Sequence, residues 1–232
     1  MNKFFHDMFT KAVNFNHVNI LSLFEKNSHA KFVDLGCDDG LLTKRFAESI
    51  HTKQIFGVDL NDARIRKAKQ RGVQVVKFDL NGKFLFSNNS IDVVSANQVI
   101  EHIHDSDKFL REIYRILKPN GYAVISTENA SSWCNIGASL FGWQIFSLTN
   151  FSDLRAGIGN PYAIHRGDDQ TIKTWKHVRI YNIRGLKEYF ESAGFRVEKI
   201  LGAGYFPLPT YFGRLDVTHS HFITYKIRKV KT

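Results

Sequence analysis

Cysteine is nearly missing from this chain. Of its 232 residues only Cys37 and Cys134 carry a thiol, and two such distant residues build neither a disulfide framework nor a thiolate metal cluster. Long apolar runs are missing as well, since no stretch approaches the roughly 18 residues of a membrane-spanning helix. The opening Met1-Asn-Lys-Phe-Phe-His-Asp7 is broken by charge where a signal peptide would be apolar. With 43% hydrophobic residues, the expectation is a globular cytoplasmic protein in a reducing compartment. Repeats, linkers and low-complexity tracts are also absent, and the length suits one sizeable core with a small cap rather than two domains. Charge of one sign is in excess: the formal net charge is +10, which by itself suggests nucleic acid or a membrane surface. Its placement argues against that. Arg64, Arg66, Lys67, Lys69 and Arg71 crowd one predicted helix around a narrow Ile65/Ala68 stripe, and Lys226, Arg228, Lys229 and Lys231 crowd the C-terminal tail. A solvated outer face is the expectation for both groups.

What the chain does have is a short stretch, Lys31-Phe-Val-Asp-Leu-Gly-Cys-Asp-Asp-Gly40, running from an apolar strand through a glycine turn into a helix that opens at Leu41. Phe32, Val33 and Leu35 suit a buried strand, and Leu41, Leu42, Phe46 and Ile50 mark the inner face of the helix. Gly36 and Gly40 permit the tight turn that brings backbone close to a ligand. Such a corner binds nucleotides in doubly wound α/β sheets. Asp38 and Asp39 decide which nucleotide, because they occupy the helix N-terminus where a pyrophosphate would sit on free N–H groups. They cap the helix and repel a phosphate. A cofactor with no phosphate and a positive sulfonium, S-adenosylmethionine, fits there. The stretch resembles the Asp/Glu-x-Gly-x-Gly-x-Gly motif of the class I S-adenosylmethionine-dependent methyltransferases. Asp34, Gly36 and Gly40 match that motif, Cys37 lies within it, and Asp38 replaces the middle glycine.

Further along, Gln54–Leu60 reads as a second buried strand carrying Asp59 near its end, with Leu60 beside it, where a carboxylate accepts from both ribose hydroxyls. A third strand, Val73–Phe78, ends at Asp79, which resembles the family's acceptor for the adenine amino group, with the Leu80 backbone next to it. A fourth strand over 91–95 opens into a loop holding Asn97, Val99, Glu101 and His102. In the resembled family this loop borders the sulfonium and the substrate. An amphipathic helix through Phe109 and Leu117, a Lys118-Pro-Asn-Gly121 stop and a fifth strand, Tyr122–Thr127, are the second point of resemblance. The resemblance implies an α/β fold: a doubly wound, mostly parallel seven-stranded sheet with one antiparallel strand, helices on both faces and a small lid or cap. Residues 1–29 are expected as a helical cap of two pieces joined near Asn14, and 30–128 as the cofactor-binding core. Over 129–178 the periodicity breaks down among Trp133, Phe141, Trp143 and Phe146, which suggests a substrate lid, and 179–232 completes the sheet.

Methyl transfer from a sulfonium is an in-line displacement with a neutral leaving group, so alignment matters most and no acid is required. A hydroxyl acceptor gains from a base. The candidates are His102, paired with Glu101, and His165 and His177 in the lid segment. The Glu101-His102 pair resembles two metal-using branches of the family, the ubiquinone-biosynthesis O-methyltransferases and the small-RNA 2′-O-methyltransferases. Both carry a Glu three residues earlier, where this chain has Gln98, and the loss of that anion implies no catalytic metal. No Asn-Pro-Pro-Tyr follows the fourth strand and no proline precedes Cys134, which disfavours amino-group methylation of bases and cytosine C5 chemistry. The leading acceptor is an oxygen or nitrogen of a small molecule, lipid or sugar precursor. RNA is the runner-up. A non-catalytic cofactor-binding protein and an NAD-dependent oxidoreductase are the other classes, the latter disfavoured by Asp38 and Asp39.

Overall fold

A computed structural model of the chain describes residues 3–152, 154–163 and 176–230. Seven strands form one sheet: β1 (Lys31–Leu35), β2 (Gln54–Val58), β3 (Gln74–Val76), β4 (Ile91–Asn97), β5 (Leu117–Glu128), β6 (Phe195–Ala203) and β7 (Phe222–Lys229). Their order is β3-β2-β1-β4-β5-β7-β6. The first five pair in parallel, and β7 runs antiparallel to both of its neighbours. This is the expected doubly wound sheet. Order reverses between β1 and β4, and in such sheets the crevice beyond the carboxyl ends at that point receives the ligand.

The central strands are apolar on both faces because helices cover both. Phe32, Val93, Tyr122 and Val124 face α2 (Leu41–Ile50), whose Phe46, Ala47 and Ile50 are fully buried against them. Val33, Leu35, Val94, Ala123 and Ile125 face the other layer, α4 (Ser106–Ile116) and α6 (Ile183–Ser192). The Asp105 side chain starts α4 by accepting from the Lys108 N–H at 2.9 Å, and Asn182 starts α6 by accepting from Gly185 at 2.7 Å. After Ile116 the chain enters β5 at once. The Lys118–Gly121 turn interrupts its pairing, so that Ile91 faces Leu117 and the next partners are Val93 and Tyr122.

Two sequence expectations are corrected here. The N-terminal segment is one helix, α1 (Lys3–Leu23), with no break near Asn14. Of the two asparagines that suggested a joint, Asn14 and Asn16, the second serves the packing instead, as does Asn19 beyond it. Asn16 donates to Ser126 Oγ at 2.9 Å and accepts from Thr224 Oγ1 at 2.8 Å, while Asn19 donates to the Gly202 carbonyl at 2.9 Å. The basic residues of the helix lie outward as expected, with Arg66, Lys67, Lys69 and Arg71 exposed and Ile65 and Ala68 buried, whereas Lys226, Arg228 and Lys229 of the C-terminal group are half-buried. Arg64 and Arg71, on and after α3 (Asp62–Gln70), pair with Asp38 and Asp39 at 3.1 and 3.0 Å. Lys229 donates to the carbonyls of Tyr114 and Leu117 at 2.7 and 2.8 Å, closing the C-terminal end of α4.

The third strand is shorter than expected, ending at Val76, so Asp79 lies in the turn that follows it. In the lid segment, α5 (Trp133–Leu140) and a 3-10 turn, Phe146–Leu148, give local order, and α7 (Phe212–Leu215) follows β6. Among the described residues no helix is long and apolar enough to cross a membrane.

The turn between β1 and α2 has no room for a side chain at Gly40. Its φ is +79°, and a Cβ there would lie 2.9 Å from the Cα of Ala68 on α3. Gly40→Ala is expected to cost at least about 2 kcal/mol, combining ~1–2 for the left-handed backbone and ~1–3 for overpacking. Urea denaturation measures it, and a loss below about 0.5 kcal/mol, the range of a neutral surface change, would contradict the packing argument.

Candidate active site

The carboxyl ends of β1, β2 and β4 converge on the β1–α2 turn. Gly36 and Cys37 both donate their N–H groups to the Val58 carbonyl, at 2.8 and 2.9 Å, which ties the turn to the end of β2. Gly36 is solvent-exposed, and the Val99 methyl lies where its Cβ would be, at 2.7 Å. Only glycine leaves this floor open. Asp59 follows β2, half-buried, with one oxygen accepting from the Asp38 N–H at 3.0 Å and the other from the Asn61 N–H at 2.8 Å. Those bonds aim a carboxylate at the mouth of the turn. The first N–H of α2, Leu41, is taken by Asp39 Oδ1 at 3.0 Å. Both turn carboxylates are paired with arginines, so what disfavours a pyrophosphate here is less bare repulsion than competition with Asp39 for the Leu41 N–H.

Not every residue expected at the cofactor reaches the cleft. Asp34 is 4% exposed, and its two oxygens accept from Ser95 Oγ at 2.5 Å and Thr43 Oγ1 at 2.6 Å. It braces β1 against β4 and α2 from below. Cys37 points inward too, against Gly57, and burial aided by Asp34 and Asp59 pushes its thiol pKa up. Asp38 is exposed at φ +47°, Leu60 is exposed, and Leu80 is half-buried. Asp79 is exposed and accepts from the Asn81 N–H at 2.9 Å. Asn81 in turn accepts from the His104 N–H at 2.8 Å, which joins that turn to the loop after β4. Asn97 ends β4, and Asn16 of α1 donates to its Oδ1 at 3.5 Å.

The loop after β4 is strained where it leaves the strand: Gln98 has φ +55°, and its side-chain nitrogen is buried without a hydrogen-bond partner. Three residues on, Glu101 is 1% exposed. Its Oε2 accepts from Thr127 Oγ1 at 2.8 Å, and its Oε1 has no partner. Burial raises its pKa to about 7. Burial, with His177 adding to it, lowers that of His102 to about 4. The two imidazoles meet edge to face, centroids 4.8 Å apart. His102 uses Nδ1 on the Lys176 carbonyl at 2.9 Å, and His177 uses Nδ1 on the Ser147 carbonyl at 2.6 Å. Each ring therefore turns Nε2 toward the centre of the group, and one ligand atom from each of Glu101, His102 and His177 lies within 4.8 Å of the others. His165 lies outside the described residues.

A profile of the methyltransferase domain family matches residues 4–200. The chain belongs to the class I S-adenosylmethionine-dependent methyltransferases. A Mycolicibacterium smegmatis protein named "probable S-adenosylmethionine-dependent methyltransferase" is 27% identical over 171 residues, 73% of this chain and 53% of that protein. The ubiquinone biosynthesis O-methyltransferase of Rickettsia canadensis is 32% identical over 140 residues, 57% of this chain and 59% of that one. The chain thus spans little more than half the length of these two relatives. The crystal structure of a Mesorhizobium loti S-adenosylmethionine-dependent methyltransferase shares the fold, with a TM-score of 0.62 at 19% identity, over 91% of this chain and 96% of that one.

S-adenosylmethionine is the cofactor this family implies, and the residues of the methyltransferase turn fit it: an open glycine floor, a preset carboxylate at Asp59 and a helix end that disfavours phosphate. Several supporting residues left no mark in the sequence. Thr43, Ser95 and Thr127 are isolated hydroxyls in apolar elements, and only the fold shows that they hold Asp34 and Glu101.

Two outcomes follow. Asp59→Ala raises the dissociation constant for S-adenosylmethionine at least about tenfold, because a hydrogen bond to a charged group contributes ~1.5–3 kcal/mol. Asp59→Asn keeps an acceptor for the turn and weakens binding less. Calorimetric affinities equal to wild type in both variants would remove Asp59 from the site. The second outcome concerns Asp34, whose burial raises its pKa from 3.8 to about 7 despite the two hydroxyl donors. Between those values the folded protein keeps a proton that the unfolded chain has released, so stability falls as pH rises through that window. Asp34→Asn removes this cost: it stabilises the protein at pH 8, on the order of a few kcal/mol, and the gain shrinks toward pH 4. Denaturation at the two pH values tests this, and a variant less stable than wild type at pH 8 would show that the ionised carboxylate is required.

Proposed function

We propose that this methyltransferase acts on an oxygen of a small-molecule acceptor, and that Glu101, His102 and His177 hold a divalent cation beside that acceptor. The observation that carries the proposal is the convergence of their three ligand atoms. Each imidazole hands its Nδ1 to a backbone carbonyl, the arrangement that fixes the tautomer and ring orientation of metal-bound histidines. The unpartnered, buried Oε1 of Glu101 is the matching anion. Two imidazoles and a carboxylate suit Mn²⁺, Fe²⁺ or Zn²⁺ better than Mg²⁺, which favours oxygen ligands.

The expectation of no catalytic metal counted Gln98 as a lost anion and left two donors. His177 makes a third, brought in from the lid side by backbone bonds of Val178 and Arg179 to the Glu101 carbonyl, at 2.9 and 3.3 Å. The O-methyltransferase relative supports an oxygen acceptor.

S-adenosylmethionine supplies an electrophilic methyl group on a positive sulfonium. A cation held by Glu101, His102 and His177 would lower the pKa of an acceptor hydroxyl. The chain's own residues align the partners: Asp59 fixes one end of the cofactor, the Gly36 floor lets it lie close to backbone, and the loop from Asn97 to His102 borders the acceptor. Alignment of this kind supplies ~7 kcal/mol or more in ideal cases. His102, largely shielded from water, is held neutral and available to ligate. An RNA acceptor is the second reading. The arginines of the turn speak against it, since Arg64 and Arg71 are engaged by carboxylates and are not free for phosphates.

Thermal melts with Mn²⁺ or Zn²⁺, against EDTA, test the cluster without an acceptor. Wild type gains about 2.7 kcal/mol at a hundred times the dissociation constant, and His177→Ala gains nothing. Gln98→Glu tightens binding of Mn²⁺. Identical wild-type curves with and without metal would overturn the cation, and screening metabolite fractions with methyl-labelled cofactor identifies the acceptor.

A further inference from the structure

Away from the cofactor turn, a second pair of reactive side chains meets. Cys134, in the first turn of α5, places Sγ 3.3 Å from Nδ1 of His221 and 3.2 Å from Oγ of Ser132. Its partner comes from the far end of the chain: His221 precedes β7, whose Phe222 pairs with Glu128 at the end of β5. The imidazole is 2% exposed and walled by Phe9, Phe206 and Phe222, with ring centroids 5.7, 5.2 and 4.6 Å away. Its backbone is fixed as well, donating to Gly204 and accepting from Asn129 at 2.9 and 2.8 Å. The ring cannot swing away from the thiol. Nε2 is buried without a hydrogen-bond partner, and Nδ1 is the ring nitrogen that meets the thiol. Burial opposes charging this histidine, yet Cys134 and Glu128 outweigh it and shift its pKa upward. Cys134 itself is partly exposed, whereas Cys37 is sealed beneath the cofactor turn.

We propose that Cys134 is a thiol-modification site for low-molecular-weight disulfides, with His221 as the group that takes its proton. The first turn of a helix and the side of an imidazole are the two surroundings in which cysteines react fastest. In the step, the S–H proton of Cys134 passes to Nδ1 of His221, in the tautomer that carries its hydrogen on Nε2. Sγ attacks one sulfur of the disulfide, a new S–S bond forms as the old one breaks, and the leaving thiolate takes the proton back. One thiol and one disulfide enter, and one mixed disulfide and one thiol leave, so no other oxidant is needed. The adduct replaces the contact that joins α5 to the start of β7, at the base of the lid segment.

The probe is oxidised glutathione on the folded full chain, read by peptide mass mapping. Cys134 carries the adduct, dithiothreitol removes it, and Cys37 stays unmodified until urea unfolds the protein. His221→Gln slows the reaction about tenfold or more, with a melting curve to show that the variant is folded. A second measurement is independent of any variant: Cys134 of the folded wild type reacts about tenfold faster than the same residue in urea. Equal rates in the folded and unfolded wild type overturn the proposal, as does a folded His221→Gln variant that reacts at the wild-type rate.

Discussion

The buried carboxyl of Asp34 sits where three elements meet, and the cofactor turn depends on what it holds. It accepts from Ser95 on β4 and from Thr43 on α2, and it belongs to β1. The β1–β4 ladder fixes the distance across the reversal through its backbone, and the two side-chain bonds add α2 to that junction. The turn above is then suspended from β2 by the Val58 carbonyl, and Asp59 is aimed by the N–H groups of Asp38 and Asn61. Residues at the ligand surface are thereby preset by residues one layer down. The family motif records both layers at once, so a matching acidic residue does not by itself touch cofactor.

The sheet was legible because parallel strands covered on both faces show as unbroken apolar runs, and the glycine turn punctuates the first of them. The cap was misread for a physical reason. Asn16, which with Asn14 looks like a helix break, finds buried partners on neighbouring elements, and those bonds outweigh a weak intrinsic preference. The outward basic face of α3 was legible, but the spacing of Arg64 and Arg71 says nothing about the carboxylates folded beside them. Asp59 and Glu101-His102 were readable from position in the motif. His177 was visible only as a histidine in an aperiodic segment, and its meeting with His102 depends on loops that carry no periodic signal.

The cluster at the end of β4 and the thiol pair at the start of β7 lie at the same end of the sheet, reached from β5 by way of Thr127 and Glu128. Each combines a buried group lacking one partner with a neighbour of complementary chemistry. Unsatisfied buried atoms are costly, and a fold that keeps Glu101 Oε1 and His221 Nε2 in that state sets them apart from its otherwise well-paired interior. Gln98, with its left-handed backbone and buried unpartnered amide, belongs to the same end.

The docking of α1 has a temporal side. Asn16 reaches Thr224 across 208 residues of sequence, and Asn19 is held by Gly202 and by Arg214 at 2.9 and 2.7 Å. During synthesis the first helix emerges from the ribosome long before these partners exist. Its inward asparagines must stay hydrated until β6 and β7 arrive, so an element made well before its partners is among the last to be locked in place.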